Sequence, residues 1–165
     1  MRTSYKFALA LLAIVVCNSA MAEIESKEDR FTGSYKIQTK PYASPNSEFG
    51  FSWLYEEDKD GGVKTLGLIM HRTSKSWRYL QCHSTAFLAD GKPLDLGRES
   101  RSGHVGSGYV NEFLIINTSL TKLKTAAQSR KVEYKVCNDE FSMSDRDLTD
   151  LREFVRLVTE RGHAK

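Results

Sequence analysis

Phe49, Phe51, Trp53 and Tyr55 set four aromatic side chains at a period of two, with smaller or polar residues between them. Only an extended chain places alternate residues on one face, so this run demands a strand with a buried aromatic face. Stacking aromatics can also hold a sugar or another ligand, and both uses fit the pattern. The strand then needs partners, and the chain supplies them. Glu56 to Gly62 reads as a charged turn ending in Gly-Gly, after which Leu66, Leu68 and Met70 resume the alternation, so a hairpin is expected.

Similar signals recur. Tyr35, Ile37 and Thr39 alternate before Pro41 and Pro45 stop the pattern, and Trp77 to Cys82 reads as a strand with Trp77 and Tyr79 on one face. Ala86 to Leu88 leads into Asp90-Gly91, the dipeptide a type I′ turn prefers, and Leu94 and Leu96 follow. Tyr109 to Asn117 and Val132 to Val136 read as strands, with Asn138-Asp139 as a tight turn before Phe141 and Met143. Thr118 or Ser119 caps a short helix carrying Leu120, Leu123 and Ala127. Ser144 caps a closing helix, with Asp147 three residues on and Leu148, Leu151, Val155 and Val158 on one face. Eight or nine short strands joined by hairpins, one connecting helix and a C-terminal helix predict an α+β domain. Its sheet is expected to be mostly antiparallel, as a β-sandwich first and a half-open barrel second.

The first 22 of the 165 residues stand apart. Arg2 and Lys6 precede an apolar run from Phe7 to Val16, and Ala20-Met21-Ala22 follows, the pattern of a secretory signal cleaved after Ala22. Val16 before Cys17 argues against a lipoprotein signal, whose peptidase needs a small residue there. The mature protein is then expected to be soluble and periplasmic or secreted. Residues 23–30 are charged and aperiodic and read as a flexible N-terminal arm, and residues 31–162 as a single domain.

Removal of that leader takes Arg2 and Lys6 from 24 basic residues, leaving 22 against 21 acidic ones, a net of +1. Near-neutral charge gives no electrostatic basis for binding nucleic acid. Basic residues at Arg98, Arg101, Lys122, Lys124, Arg130 and Lys131 could form a patch for an anionic partner or a merely solvated face. With Cys17 gone, Cys82 and Cys137 form an even pair in an oxidising compartment, and a disulfide is expected.

The sequence carries no catalytic template. G-x-S-x-G, H-E-x-x-H, the P-loop and the dinucleotide fingerprint are all absent, and Cys82-His83 would point to opposite faces of a strand. His71, His83 and His104 lack metal-ligand spacing, as do Glu56, Glu57, Asp58 and Asp60 for calcium, so no metal or cofactor is expected. Glu112 and Glu133 read as surface or ion-paired strand glutamates, although two carboxylates could in principle work together. Gly97 to Gly108 is polar and glycine-rich, and it is the candidate binding loop, with Arg98, Arg101, His104 and Tyr109 as its contact residues.

The stretches D-R-F-T-G (Asp29 to Gly33), L-A-D-G-K-P-L (Leu88 to Leu94), the segment Ala127 to Val136 that ends in K-V-E-Y-K-V from Lys131, E-F-S-M-S (Glu140 to Ser144) and L-R-E-F (Leu151 to Phe154) span most of the mature chain. Together they resemble uncharacterised small bacterial exported proteins. That resemblance implies a β-rich domain with a closing helix and carries over no functional residue. The expected function is an exported non-catalytic domain that binds a protein or a cell-envelope component. A periplasmic inhibitor or immunity protein acting through residues 97–108, and a hydrolase whose site assembles only in the fold, are the alternatives.

Overall fold

A computed structural model describes residues 23–40 and 49–163. The leader over residues 1–22 and the stop at Pro41 and Pro45 lie outside the described residues. Chain order is β1 (Ile24–Glu28), β2 (Tyr35–Thr39), β3 (Gly50–Glu57), β4 (Val63–Ser74), β5 (Thr85–Ala89), β6 (Lys92–Leu94), β7 (Arg98–Gly106), β8 (Tyr109–Asn117), α1 (Leu120–Gln128), β9 (Val132–Val136), β10 (Asp139–Ser142) and α2 (Asp145–His163). These ten strands form two antiparallel sheets, one ordered β1-β2-β3-β4-β8-β7 and the other β10-β9-β5-β6. The class is α+β, and the sheets pack as a sandwich rather than closing into a barrel.

The aromatic ladder forms the centre of the larger sheet, and all four of its side chains are buried. Register places Phe51 beside Met70, Trp53 beside Leu68 and Tyr55 beside Leu66 on the inner face. That face meets two different layers. Phe51 packs edge-on to Tyr134 of the smaller sheet with ring centroids 5.3 Å apart, while Trp53 lies 6.5 Å from Phe154 of α2. The aromatic positions are therefore core, and the ligand-platform reading falls away.

Local chemistry fixes the connections. Asp58 accepts the Gly62 and Asp60 N–H groups in the β3–β4 turn, at 2.7 and 3.0 Å. Asp90 and Gly91 take φ of 49° and 77° between β5 and β6, as a type I′ turn requires. Helix α2 opens with a capping box in which Ser144 N–H donates to Asp147 Oδ2 and Asp147 N–H donates to Ser144 Oγ. Arg152 of α2 donates to the Ala127 and Ser129 carbonyls at the end of α1, which locks the helices together.

Four expectations need correction. The segment read as an arm contains β1, which pairs antiparallel with β2 from Ile24↔Thr39 to Glu28↔Tyr35. Its charges mask it because an edge strand needs only backbone partners, and exposed charge keeps other chains off such an edge. Residues 98–106 form a strand paired with β8 along their whole length, not a flexible loop. Trp77 to Cys82 is irregular, because the Arg78, Tyr79 and Leu80 N–H groups donate to Glu112 instead of to a neighbouring strand. The β9–β10 turn falls one residue early, at Cys137-Asn138, with Cys137 at φ 61°.

Candidate binding edge

The larger sheet ends at β7, and among the described residues no strand pairs with its far side. Its alternate residues face opposite ways. Register sets Arg101 beside the buried Leu114 on the inner face, while Ser100, Ser102 and His104 lie on the outer face beside Ile115, Phe113 and Asn111.

The four residues read as binding contacts therefore separate. Arg101 is not a contact: its side chain is 2% exposed, paired with Glu99, and donates to the Tyr79 carbonyl at 2.5 Å and Thr85 Oγ1 at 3.0 Å. Arg98 is exposed at the start of the strand. His104 is exposed, stacks on Phe113 at 5.7 Å, and bonds Asn111 Nδ2 at 3.0 Å. His71 stacks on the same Phe113, at 6.2 Å. Tyr109 opens β8 and leans over Gly106, where any Cβ would lie 2.3 Å from the ring. Gly103 is likewise required, since its Cβ would stand 2.4 Å from the Trp77 ring.

Sequence reasoning missed two contributors. Val105 is 70% exposed on β7 and Trp77 is 40% exposed over Gly103, so with Tyr109 they leave apolar surface along this hairpin. Trp77 was hidden by its apparent strand alternation, and Val105 by the glycines and serines around it.

Behind the edge lies a buried polar cluster. Glu112 Oε1 accepts the N–H groups of Arg78, Tyr79 and Leu80 at 3.1, 2.7 and 2.9 Å, and its Oε2 accepts Arg72 Nη1 at 3.3 Å. Of the two expected places for this glutamate, surface or ion pair, the structure shows the ion pair, with Glu112 1% exposed. It holds the segment that crosses from one sheet to the other, and Cys82–Cys137 fastens the same segment to the β9–β10 turn, with Cα atoms 5.9 Å apart. Glu133 belongs to the other sheet and pairs with Lys131, so the two glutamates do not form a carboxylate pair.

The remaining charges are consumed locally. Lys122 pairs with Asp95 and holds that carboxyl below its usual range, first by its hydrogen bond and then by its charge. With Arg101 inside and Lys131 on Glu133, the six basic residues do not act as one free patch. In the acidic turn, Glu57 is buried, accepts the Tyr55 hydroxyl at 2.6 Å and pairs with Arg161. Burial first, and then Glu57, push the Tyr55 phenol up to about 12. Among the described residues no group of three or more His, Cys, Asp or Glu could hold a metal ion, and no helix is long and apolar enough to cross a membrane.

No protein-family model matches the chain, and no curated protein or solved structure matches it.

Proposed function

We propose that this chain is an exported, non-catalytic domain that binds another protein through the β7–β8 hairpin. The observation that carries the reading is the edge of β7, which no strand pairs among the described residues, with Trp77, Val105 and Tyr109 exposed beside it. Most free edges are kept short or charged, because an open row of N–H and C=O groups recruits other strands. β6 is three residues with Pro93 at its centre, β10 is four residues, and β1 carries Glu25, Lys27 and Glu28. β7 is nine residues long, and from Ser100 to Gly106 it directs no acidic or basic side chain outward other than His104. A protein segment can add to such an edge by backbone hydrogen bonds, with neighbouring side chains supplying selectivity. Because residues 98–106 are a paired strand, strand addition suits them better than insertion of a loop into an enzyme. The leader pattern over residues 1–22 and the Cys82–Cys137 bridge support export to an oxidising compartment.

Site-specific photo-cross-linking in the native host tests this. A diazirine residue at Ser100 or Val105 should yield protein adducts on irradiation, and one at Leu88, exposed on the smaller sheet, should not. Absence of adducts, or the same adducts from all three positions, refutes the proposal.

A further inference from the structure

Resting on that reading, the geometry points to a second copy of this chain as the occupant of the β7 edge. The two β7 strands would pair antiparallel about a twofold axis at Ser102 and join the two six-stranded sheets into one.

Pleat and side chains select this register. In antiparallel pairing the residues opposite each other must expose the same side of their backbone, so a β7 self-pair can be centred only on a residue. Ser102 is the middle of the strand, and centring there engages all of Arg98–Gly106. Arg98 then faces the partner's Gly106, Glu99 the partner's Val105, Ser100 the partner's His104, and Arg101 the partner's Gly103. Arg98 and Arg101 each meet a glycine, Ser100 meets His104, Glu99 meets Val105, and no like charges oppose. Moving the axis to Arg101 would leave Val105 and Gly106 outside the pairing. Moving it to Gly103 would leave Arg98 and Glu99 outside the pairing and place two side-chain-free residues at the centre. Directly opposed residues contribute most to strand pairing, so these differences decide the register.

The inner layer leaves this pairing chemically open. Arg101 is already turned inward onto Tyr79 and Thr85, so the centre of the edge presents Ser102 between two residues without outward charge. A twofold axis normal to the sheet also keeps both outer faces on one side, so the His104 and Phe113 stacks of the two copies would flank the seam.

Sedimentation velocity over a concentration series is the test, with the full exported chain. The unaltered protein should reach a dimer. Ser102→Lys and Ser102→Asp each set like charges across the axis and should weaken self-association about tenfold or more, while an equal mixture of the two should dimerise again. Ser102→Cys should form an intermolecular disulfide under oxidation, because opposed Cα atoms in an antiparallel pair lie within bridging range. Ser100→Cys should not, since the two copies of Ser100 would be separated by four residues of strand. A wild-type chain that stays monomeric throughout, or a dimer indifferent to both charge variants, overturns the inference. If the chain is monomeric and Ser100 still cross-links to a different protein, only the self-pairing fails. If no position cross-links, the binding reading fails with it.

Discussion

Removing the Glu112 carboxylate is the sharpest test of how the two sheets are held together. The side chain is 2% exposed and accepts four hydrogen bonds, three from consecutive backbone N–H groups at 2.7 to 3.1 Å and one from Arg72. Glu112→Ala strands those donors. A buried donor left unmade costs about 1–3 kcal/mol, and breaking a buried charge pair from one side costs about 3–5 kcal/mol. Water can reach the ends of the segment, and Arg72 keeps its bond to Ser74 Oγ at 2.7 Å, so the sum does not simply add. We expect a loss of about 4 kcal/mol, which for a domain of this size lowers the melting temperature by roughly 12 °C. Glu112→Gln keeps one oxygen to accept the three N–H groups but turns an amide toward Arg72, and should lose only about 1–2 kcal/mol. Urea titration followed by tryptophan fluorescence and circular dichroism measures both, with Trp77 reporting on the crossing segment and Trp53 on the core. A Glu112→Ala protein within about 1 kcal/mol of wild type would refute the claim that this carboxylate organises the crossing.

Three further outcomes concern Tyr55, Asp150 and the glycines at 91 and 97. The Tyr55 phenol, raised from 10.0 to about 12, favours folding while it is protonated, so its contribution is whole below pH 10 and disappears as pH rises through 12. Tyr55→Phe should flatten that part of the alkaline stability curve in denaturation at fixed pH. Asp150 is raised by burial, against the opposing charge of Arg146, with Oδ1 buried and unbonded, so its ionisation costs the fold stability at neutral pH. Asp150→Asn should therefore gain about 1 kcal/mol at pH 7, and that gain should vanish as pH falls below 3.8, which equilibrium unfolding at the two pH values checks. Gly97 has φ +128°, and an added Cβ would stand 2.0 Å from the Asn117 carbonyl oxygen, whereas Gly91 at φ +77° opens on empty space. Gly97→Ala should lose about 3 kcal/mol and Gly91→Ala only about 1, a difference that thermal melts resolve.

What was legible in the sequence was whatever rests on near neighbours. The Phe49 to Tyr55 ladder, the Asp90-Gly91 turn and the Ser144 and Asp147 cap each involve residues within a few positions of one another. Period-two alternation, however, reports only that one face of a strand is buried. β1 and β7 have little apolar burial, since Ile24 and Val105 are their only large aliphatic residues and Val105 is exposed, and so they read as arm and loop. The converse error occurred at Trp77 to Cys82. Its alternation was real, but the acceptor for its N–H groups stands 32 to 34 residues further along the chain, and no local pattern reveals it. Glu112 itself alternates correctly with Leu114 and Ile116 and so belongs to the inner face. Its charge, not its position, leaves a surface place open beside the ion-paired one that it takes with Arg72.

The same long-range bonds explain why the candidate edge has the character it does. Glu112 on β8 takes the N–H groups of residues 78–80, while Arg101 on β7 takes the carbonyl of Tyr79 and the hydroxyl of Thr85. Cys82–Cys137 secures the segment from the other side. The crossing is thus gripped by adjacent strands of one sheet and bridged to the other. An arginine that would otherwise guard the middle of β7 is drawn inward to do this, which leaves serine, glycine and histidine along the free edge. Ordering comes with the exposure, since β7 is held by its ladder to β8 and by Arg101 to the crossing segment. An incoming strand would meet a template fixed from both layers, so the entropy lost in pairing would fall almost wholly on the incoming strand unless that strand were equally fixed. A second β7 is so fixed, and that is the physical ground for favouring self-pairing over capture of a disordered peptide.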